Sequence, residues 1–116
     1  MAVLVACLGE GQGTWSSVFK LALMPEWEKV ILVGPAFAKE HLTLKENMSF
    51  VELEQDSSFE EQVGFLQDRL GDVCFGEVGV SLYSGSGLLH MIVLSALLKA
   101  GCGIKLVHYT DKFIEI

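Results

Sequence analysis

Apolar residues form short runs that alternate with segments of helical periodicity along the whole chain. Residues 3–8, 29–33 and 78–83 are predominantly apolar, and the residue that follows each run is glycine or serine. Strands that are buried on both faces of a parallel sheet have this pattern. Residues 50–54 alternate between apolar and charged positions, which predicts a strand with one exposed side, close to a sheet edge.

Helical spacing fills the intervals between these strands. The third predicted helix begins with the capping-box pair Ser58 and Glu61 and ends at Gly71. The other predicted helices are residues 15–23, 36–44 and 88–100, and residues 104–109 and 113–116 predict a closing hairpin. Strands that alternate with helices in this way predict an α/β, Rossmann-like domain. Its mostly parallel sheet has helices on both faces and a C-terminal antiparallel hairpin.

Length and composition restrict this domain further. A chain of 116 residues is long enough for one core, so residues 1–116 are read as one domain. The net charge of −7, with Arg69 as the only arginine, argues against binding of long DNA or RNA. No apolar stretch is long enough to span a membrane, and the first residues lack the basic region of a signal peptide. We therefore expect a cytoplasmic protein without membrane contact.

The cysteines and histidines show no metal-binding or disulfide pattern. Cys7, Cys74 and Cys102 are odd in number and lie in apolar surroundings, so we expect three reduced core thiols. The three histidines are scattered without the spacing of metal ligands. The sequence accordingly predicts neither a metal nor a cofactor.

Several familiar phosphate-binding and hydrolytic motifs are excluded by single positions. The segment from Gly9 to Gly13 is not GxGxxG, and no acidic residue ends the second strand, which argues against a dinucleotide. A P-loop lysine and a GxSxG elbow are both missing from the sequence. The position six residues after Cys7 is Gly13, where a cysteine phosphatase requires arginine.

Two loops rich in glycine and hydroxyl side chains follow the first and fourth strands, at residues 9–14 and 84–87. The carboxyl ends of parallel strands share one sheet edge, so both loops are expected beside the ligand crevice. Glycine lets backbone N–H groups approach a phosphate, and helix N-termini favour an anion. The alternative is that the glycines make tight turns and the hydroxyls only cap helices. We favour a small phosphorylated ligand, with Glu10 contacting a base or a ribose hydroxyl.

These features resemble the CARF domain, the Rossmann-like sensor of cyclic oligoadenylates in type III CRISPR systems. The resemblance rests on the loop after the first strand, the turn at residues 81–91 and the closing hairpin. It implies that a cyclic oligoadenylate binds across the two-fold axis of a homodimer. Ser81 and Leu88 depart from the family pattern, which has Asn or Asp and a cation there, and this bears more on ring cleavage than on ring binding. The implied ligand-binding residues are Gly9, Glu10, Gly11, Gln12, Gly13, Thr14, Trp15, Ser16, Ser84, Gly85, Ser86, Gly87 and His90.

The resemblance leaves catalysis open. A metal-independent ring nuclease aligns a ribose 2′-OH with the adjacent phosphate and stabilises the transition state, and Thr14, Ser84 and His90 are the candidate catalytic residues. Backbone N–H groups of glycines 11, 13, 85 and 87 would assist. One alternative is a non-catalytic interaction protein that binds a partner through the apolar helix at residues 88–98; another is a small phosphotransfer or hydrolase domain. That helix is apolar nearly all round, which fits either a homodimer interface or a wholly buried helix.

Overall fold

A computed structural model describes residues 2–116 and shows one six-stranded sheet in the order β3-β2-β1-β4-β5-β6. Strands β1 to β5 are parallel, and β6 is antiparallel to β5. The Rossmann-like fold with a terminal hairpin, expected from the sequence, is thereby confirmed. The strands are β1 (Val3–Cys7), β2 (Lys29–Gly34), β3 (Met48–Glu52), β4 (Glu77–Ser81), β5 (Gly103–Tyr109) and β6 (Phe113–Glu115), and the helices are α1 (Trp15–Ala22), α2 (Ala36–Glu40), α3 (Phe59–Leu70) and α4 (Gly87–Lys99).

Two hydrophobic layers cover the two faces of the sheet. Every residue of β1 is buried, and successive side chains enter opposite layers, because neighbouring side chains of a strand point to opposite faces. Val5 packs with α3 and α4 on one face, and Leu4 packs with α1 and α2 on the other. The continuous apolar run at the start of the chain is therefore a central strand covered on both sides.

The strand order reverses between β1 and β4, and this reversal separates the helices that follow them. The chain leaves β1 toward the α1 layer and leaves β4 toward the α4 layer. The carboxyl ends of these two neighbouring strands are thus left with an opening between them. The two glycine-rich loops lie at this point.

Helix α2 and strand β3 depart furthest from the expected bounds, while the other elements differ by no more than one or two residues at an end. Helix α2 ends at Glu40 instead of residue 44, because only Ala38 of its side chains is buried and the next residue, His41, has left the helical conformation. Strand β3 is Met48–Glu52 instead of 50–54, because its bounds follow its pairing with β2: Met48 lies opposite Val30, and Glu52 lies opposite Gly34, where β2 ends. Its position at the sheet edge is as expected.

The expectation of three reduced thiols is wrong for two of the cysteines. The structure pairs Cys74 with Cys102 as a disulfide, with the Cα atoms 4.8 Å apart and a sequence separation of 28. Both cysteines precede strands, β4 and β5, that are neighbours in the sheet. Sequence spacing gave no sign of this proximity, because the parallel connection through α4 creates it. Cys7 is free and buried.

No helix in the described part of the chain is long and apolar enough to cross a membrane.

We expect the Cys74–Cys102 disulfide to stabilise the fold by about 3 kcal/mol, because closing a loop of this length restricts the unfolded chain. A reductant should therefore lower the urea midpoint of the wild-type protein. Cys102→Ser should already have the lower midpoint and should not respond to reductant. Cys7→Ala serves as the control, because it should keep the response; a wild-type midpoint unaffected by reductant would contradict the pairing.

Candidate functional site

The two glycine-rich loops touch each other through their backbones. A Cβ atom added to Gly9 would lie 2.7 Å from the Gly85 Cα and 2.9 Å from its nitrogen, both closer than a real Cβ contact. Gly85 has a φ of +101°, which L side chains rarely adopt. Glycine is therefore required at both positions: at Gly9 for the close approach, and at Gly85 for the backbone conformation.

The Ser84 side chain joins the two loops by hydrogen bonds. The Gly9 N–H donates to Ser84 Oγ over 3.0 Å, and Thr14 Oγ1 lies 2.6 Å from the same oxygen and 3.0 Å from the Gly11 carbonyl. Because a carbonyl can only accept, the Thr14 hydroxyl donates to Gly11 and the Ser84 hydroxyl donates to Thr14. The protons of both hydroxyls are thus used within the protein, and the Ser84 residue is 1% exposed.

His90 holds the second loop from the first turn of α4. Its Nε2 lies 2.8 Å from the Ser84 carbonyl oxygen, so Nε2 carries a proton and donates it. Ser86 caps the same helix by accepting from the Leu89 N–H over 3.1 Å. Of the three candidate catalytic residues, Thr14 and Ser84 are joined through their hydroxyls, and His90 is bonded to the backbone of Ser84.

A crevice of about 310 Å³ opens between the loops at the carboxyl ends of β1 and β4. The structure thus brings seven of the sequence-predicted residues together around one opening. The crevice residues are Gly9, Glu10, Gly11, Thr14, Tyr83, Ser84, Gly85 and Ser86.

The remaining predicted ligand residues do not line this crevice. Trp15 is buried and donates its Nε1 hydrogen to the Gly9 carbonyl over 2.9 Å, so its ring supports the first loop from behind. Gln12 to Thr14 form a 3₁₀ turn that leads into α1. Ser16 is exposed on α1, Gly87 begins α4, and His90 holds the second loop from α4. That these residues contact a ligand stays a prediction.

Sequence reasoning missed the aromatic group at the crevice, Tyr83. Its side chain is half exposed and packs on His108 of β5, with the ring centroids 4.4 Å apart. The available signal was an aromatic residue directly before the Ser84 turn. It could not be separated from the apolar run of the preceding strand, because tyrosine is also a common strand residue.

Backbone groups supply the positive potential of the crevice, because Glu10 is its only charged lining residue. The first N–H groups of a helix have no partner within the helix. In α4 the Leu89 N–H is bonded by Ser86, and no described hydrogen bond uses the N–H groups of Gly87 and Leu88, which follow the crevice residue Ser86 in the chain. The helix dipole adds to their attraction for an anion.

The free thiol of Cys7 and the groupings of metal-ligating side chains are the other chemical features that bear on the site. Burial raises the pKa of the Cys7 thiol to about 12, so this group is a neutral thiol at neutral pH and a poor nucleophile. No group of three or more His, Cys, Asp or Glu side chains within residues 2–116 is arranged to hold a metal ion.

Together, the sheet order, the helical layers and the hairpin define an α/β, Rossmann-like fold. Among solved structures, the chain is similar to Enterococcus italicus Csm6 bound to cyclic hexa-2′-fluoro-hexa-dAMP, with a TM-score of 0.57 and 10% sequence identity. The alignment covers 98% of this chain and 35% of the Csm6 chain, so the protein spans about a third of the length of this neighbour. No protein-family profile and no curated protein matches the chain. The resemblance seen in the sequence is thus supported at the level of the fold.

The loop contact can be tested with a matched pair of glycine substitutions. Gly9→Ala should destabilise the protein by about 1–3 kcal/mol, because its Cβ meets backbone atoms that cannot move without separating the loops. Gly11→Ala should be close to neutral, since no atom lies within 4 Å of its added Cβ. Urea denaturation measures both. Equal stabilities for the two variants would show that the loops are not in contact.

Proposed function

We propose that this chain binds a cyclic oligoadenylate in the crevice between its two glycine-rich loops. The observation that carries the proposal is the fold, which a Csm6 structure with a cyclic hexanucleotide shares over 98% of this chain. The crevice supports it independently. Helix N-terminal N–H groups, a close approach allowed by glycine and an exposed tyrosine ring suit a ligand with both phosphates and bases.

Binding without rapid cleavage is the better supported form of this function. Cleavage of a ring by its own 2′-OH is assisted by a base that removes the hydroxyl proton and by donors to the phosphate. The hydroxyl protons of Thr14 and Ser84 are already donated within the protein, and the Nε2 proton of His90 is donated to a carbonyl. The remaining candidate for a base is the other ring nitrogen of His90, so a slow ring nuclease is the second candidate function.

A homodimer is part of the proposal because α4 carries an apolar stripe that the chain itself does not cover. Leu88, Met91 and Leu98 are 56%, 60% and 67% exposed, and their spacing places them on one side of the helix. The stripe starts at the N-terminal end of α4, whose N-cap residue Ser86 lines the crevice. A second copy that packs on it across a two-fold axis would place two crevices together, facing a symmetric ring.

Ring binding and cleavage are tested together by calorimetry and product chromatography. We expect rings of four or six adenylates to bind, while linear oligoadenylates of the same length bind more weakly because they are not preorganised. Ring consumption during metal-free incubation should be slow, and His90→Gln should abolish it. If neither ring binds, the proposal is wrong, and a protein-interaction role for the α4 stripe takes its place.

Light scattering at micromolar concentration tests the dimer. The wild-type protein should be dimeric, and Met91→Glu should be monomeric, because it places a charge at the centre of an apolar interface. Phe75→Glu is the matched control: Phe75 is 80% exposed but follows Cys74, before β4. A wild-type monomer, or an equal effect of both substitutions, would contradict the α4 interface.

A further inference from the structure

A second pocket adjoins the crevice on the α3 and α4 face of the sheet. Its volume is about 440 Å³, in the range of small-molecule sites. It shares Gly9, Glu10 and Ser86 with the crevice, so one ligand can occupy both. We call it the amide pocket, and it is lined by Gly9, Glu10, Pro35, Leu53, Gln55, Gln62, Ser86, Leu88, Leu89 and Ile92.

The amide pocket has apolar walls. Leu53 follows β3, and Leu89 and Ile92 belong to α4; all three also form part of the core. Such walls favour an uncharged, largely apolar group. Glu10 is the only charged lining residue of this pocket, as it is of the crevice, so the apolar walls and not the charge distinguish the two cavities.

Two of the side chains that line this pocket, Gln62 and Glu10, carry hydrogen-bond acceptors. Gln62 is 9% exposed, and its Nε2 donates to the Ser57 carbonyl over 3.0 Å. That bond uses one of the two Nε2 hydrogens, and no described hydrogen bond uses the Gln62 amide oxygen, which can accept from a ligand. The Glu10 carboxylate accepts from Gln55 Nε2 over 3.3 Å and has further lone pairs. A ligand that brings N–H donors satisfies these oxygens, whereas one that brings only acceptors leaves them unpaired.

The geometry points to a base-specificity site: the amide pocket holds a heterocyclic base with an exocyclic amino group, and Gln62 and Glu10 accept from that group. The inference rests on the proposed function, in which the phosphates of the same ligand occupy the crevice. It assigns Gln62, on α3 and outside both glycine-rich loops, as a residue that determines specificity. Adenine carries the required amino group. Hypoxanthine has an oxo group there, which would face the two acceptors.

The test compares a ring of adenylates with a ring of inosinates of the same size, by calorimetry. The wild-type protein should prefer the adenylate ring by about tenfold or more, since an unpaired buried acceptor typically costs about 1–3 kcal/mol. Gln62→Met keeps the length and apolar stem of the side chain but removes the acceptor, so the preference should fall toward one. Glu60→Gln is the control; Glu60 is exposed, does not line the pocket, and the preference should remain.

The ratio of the two affinities separates specificity from stability, because loss of folded protein lowers both affinities equally. If the wild-type protein binds both rings equally, the inference is overturned while ring binding stands. If Gln62→Met keeps the full preference, the assignment of Gln62 is overturned. If neither ring binds, the affinities for adenosine monophosphate and inosine monophosphate are compared instead. A preference for the adenosine form supports the pocket without the ring, and its absence overturns both proposals.

Discussion

The backbone of Gly9 lies against the backbone of Gly85, and the geometry of the carboxyl sheet edge depends on this contact. It is possible because β1 and β4 are neighbours and because neither residue has a side chain. The hydroxyl of Ser84 then accepts the N–H of Gly9, which would otherwise be a buried unpaired donor. The same contact places the crevice on one side and the amide pocket on the other, since both are lined by Gly9.

The two cavities beside this contact differ in the groups that they offer. The crevice reaches the N-cap of α4 at Ser86 and has an aromatic ring, whereas the amide pocket has apolar walls and side-chain oxygen acceptors. A nucleotide has the complementary division, with an anionic phosphate and a base that carries donors. This division explains how a chain with a net charge of −7 can serve a phosphorylated ligand, because fixed dipoles replace cations.

The sequence predicted the fold to the extent that local periodicity determined it. The buried strands, the cap at Ser58, and the ends of α3 and α4 all follow from spacing and turn chemistry within a few residues. The sequence did not predict features that depend on residues far apart along the chain. The bounds of β3 depend on β2, and the pairing of Cys74 with Cys102 depends on β4 and β5 being neighbours. Gln62 was missed for a similar reason: a single polar residue beside the apolar face of α3 has meaning only once the α4 wall is in place.

The scarcity of cations at the crevice has a kinetic consequence. A protein that binds a polyanion through lysine and arginine gains speed from long-range attraction and loses affinity as salt screens it. In the proposed complex the attraction would come from helix N-terminal groups, which act over about one helical turn, while the overall charge would repel the ligand. Added salt would screen that repulsion over distances beyond about 10 Å at 0.1 M and leave the short contacts almost unchanged. Association with a ring of phosphates would therefore become faster as ionic strength rises, the reverse of the behaviour of proteins that bind through a basic surface.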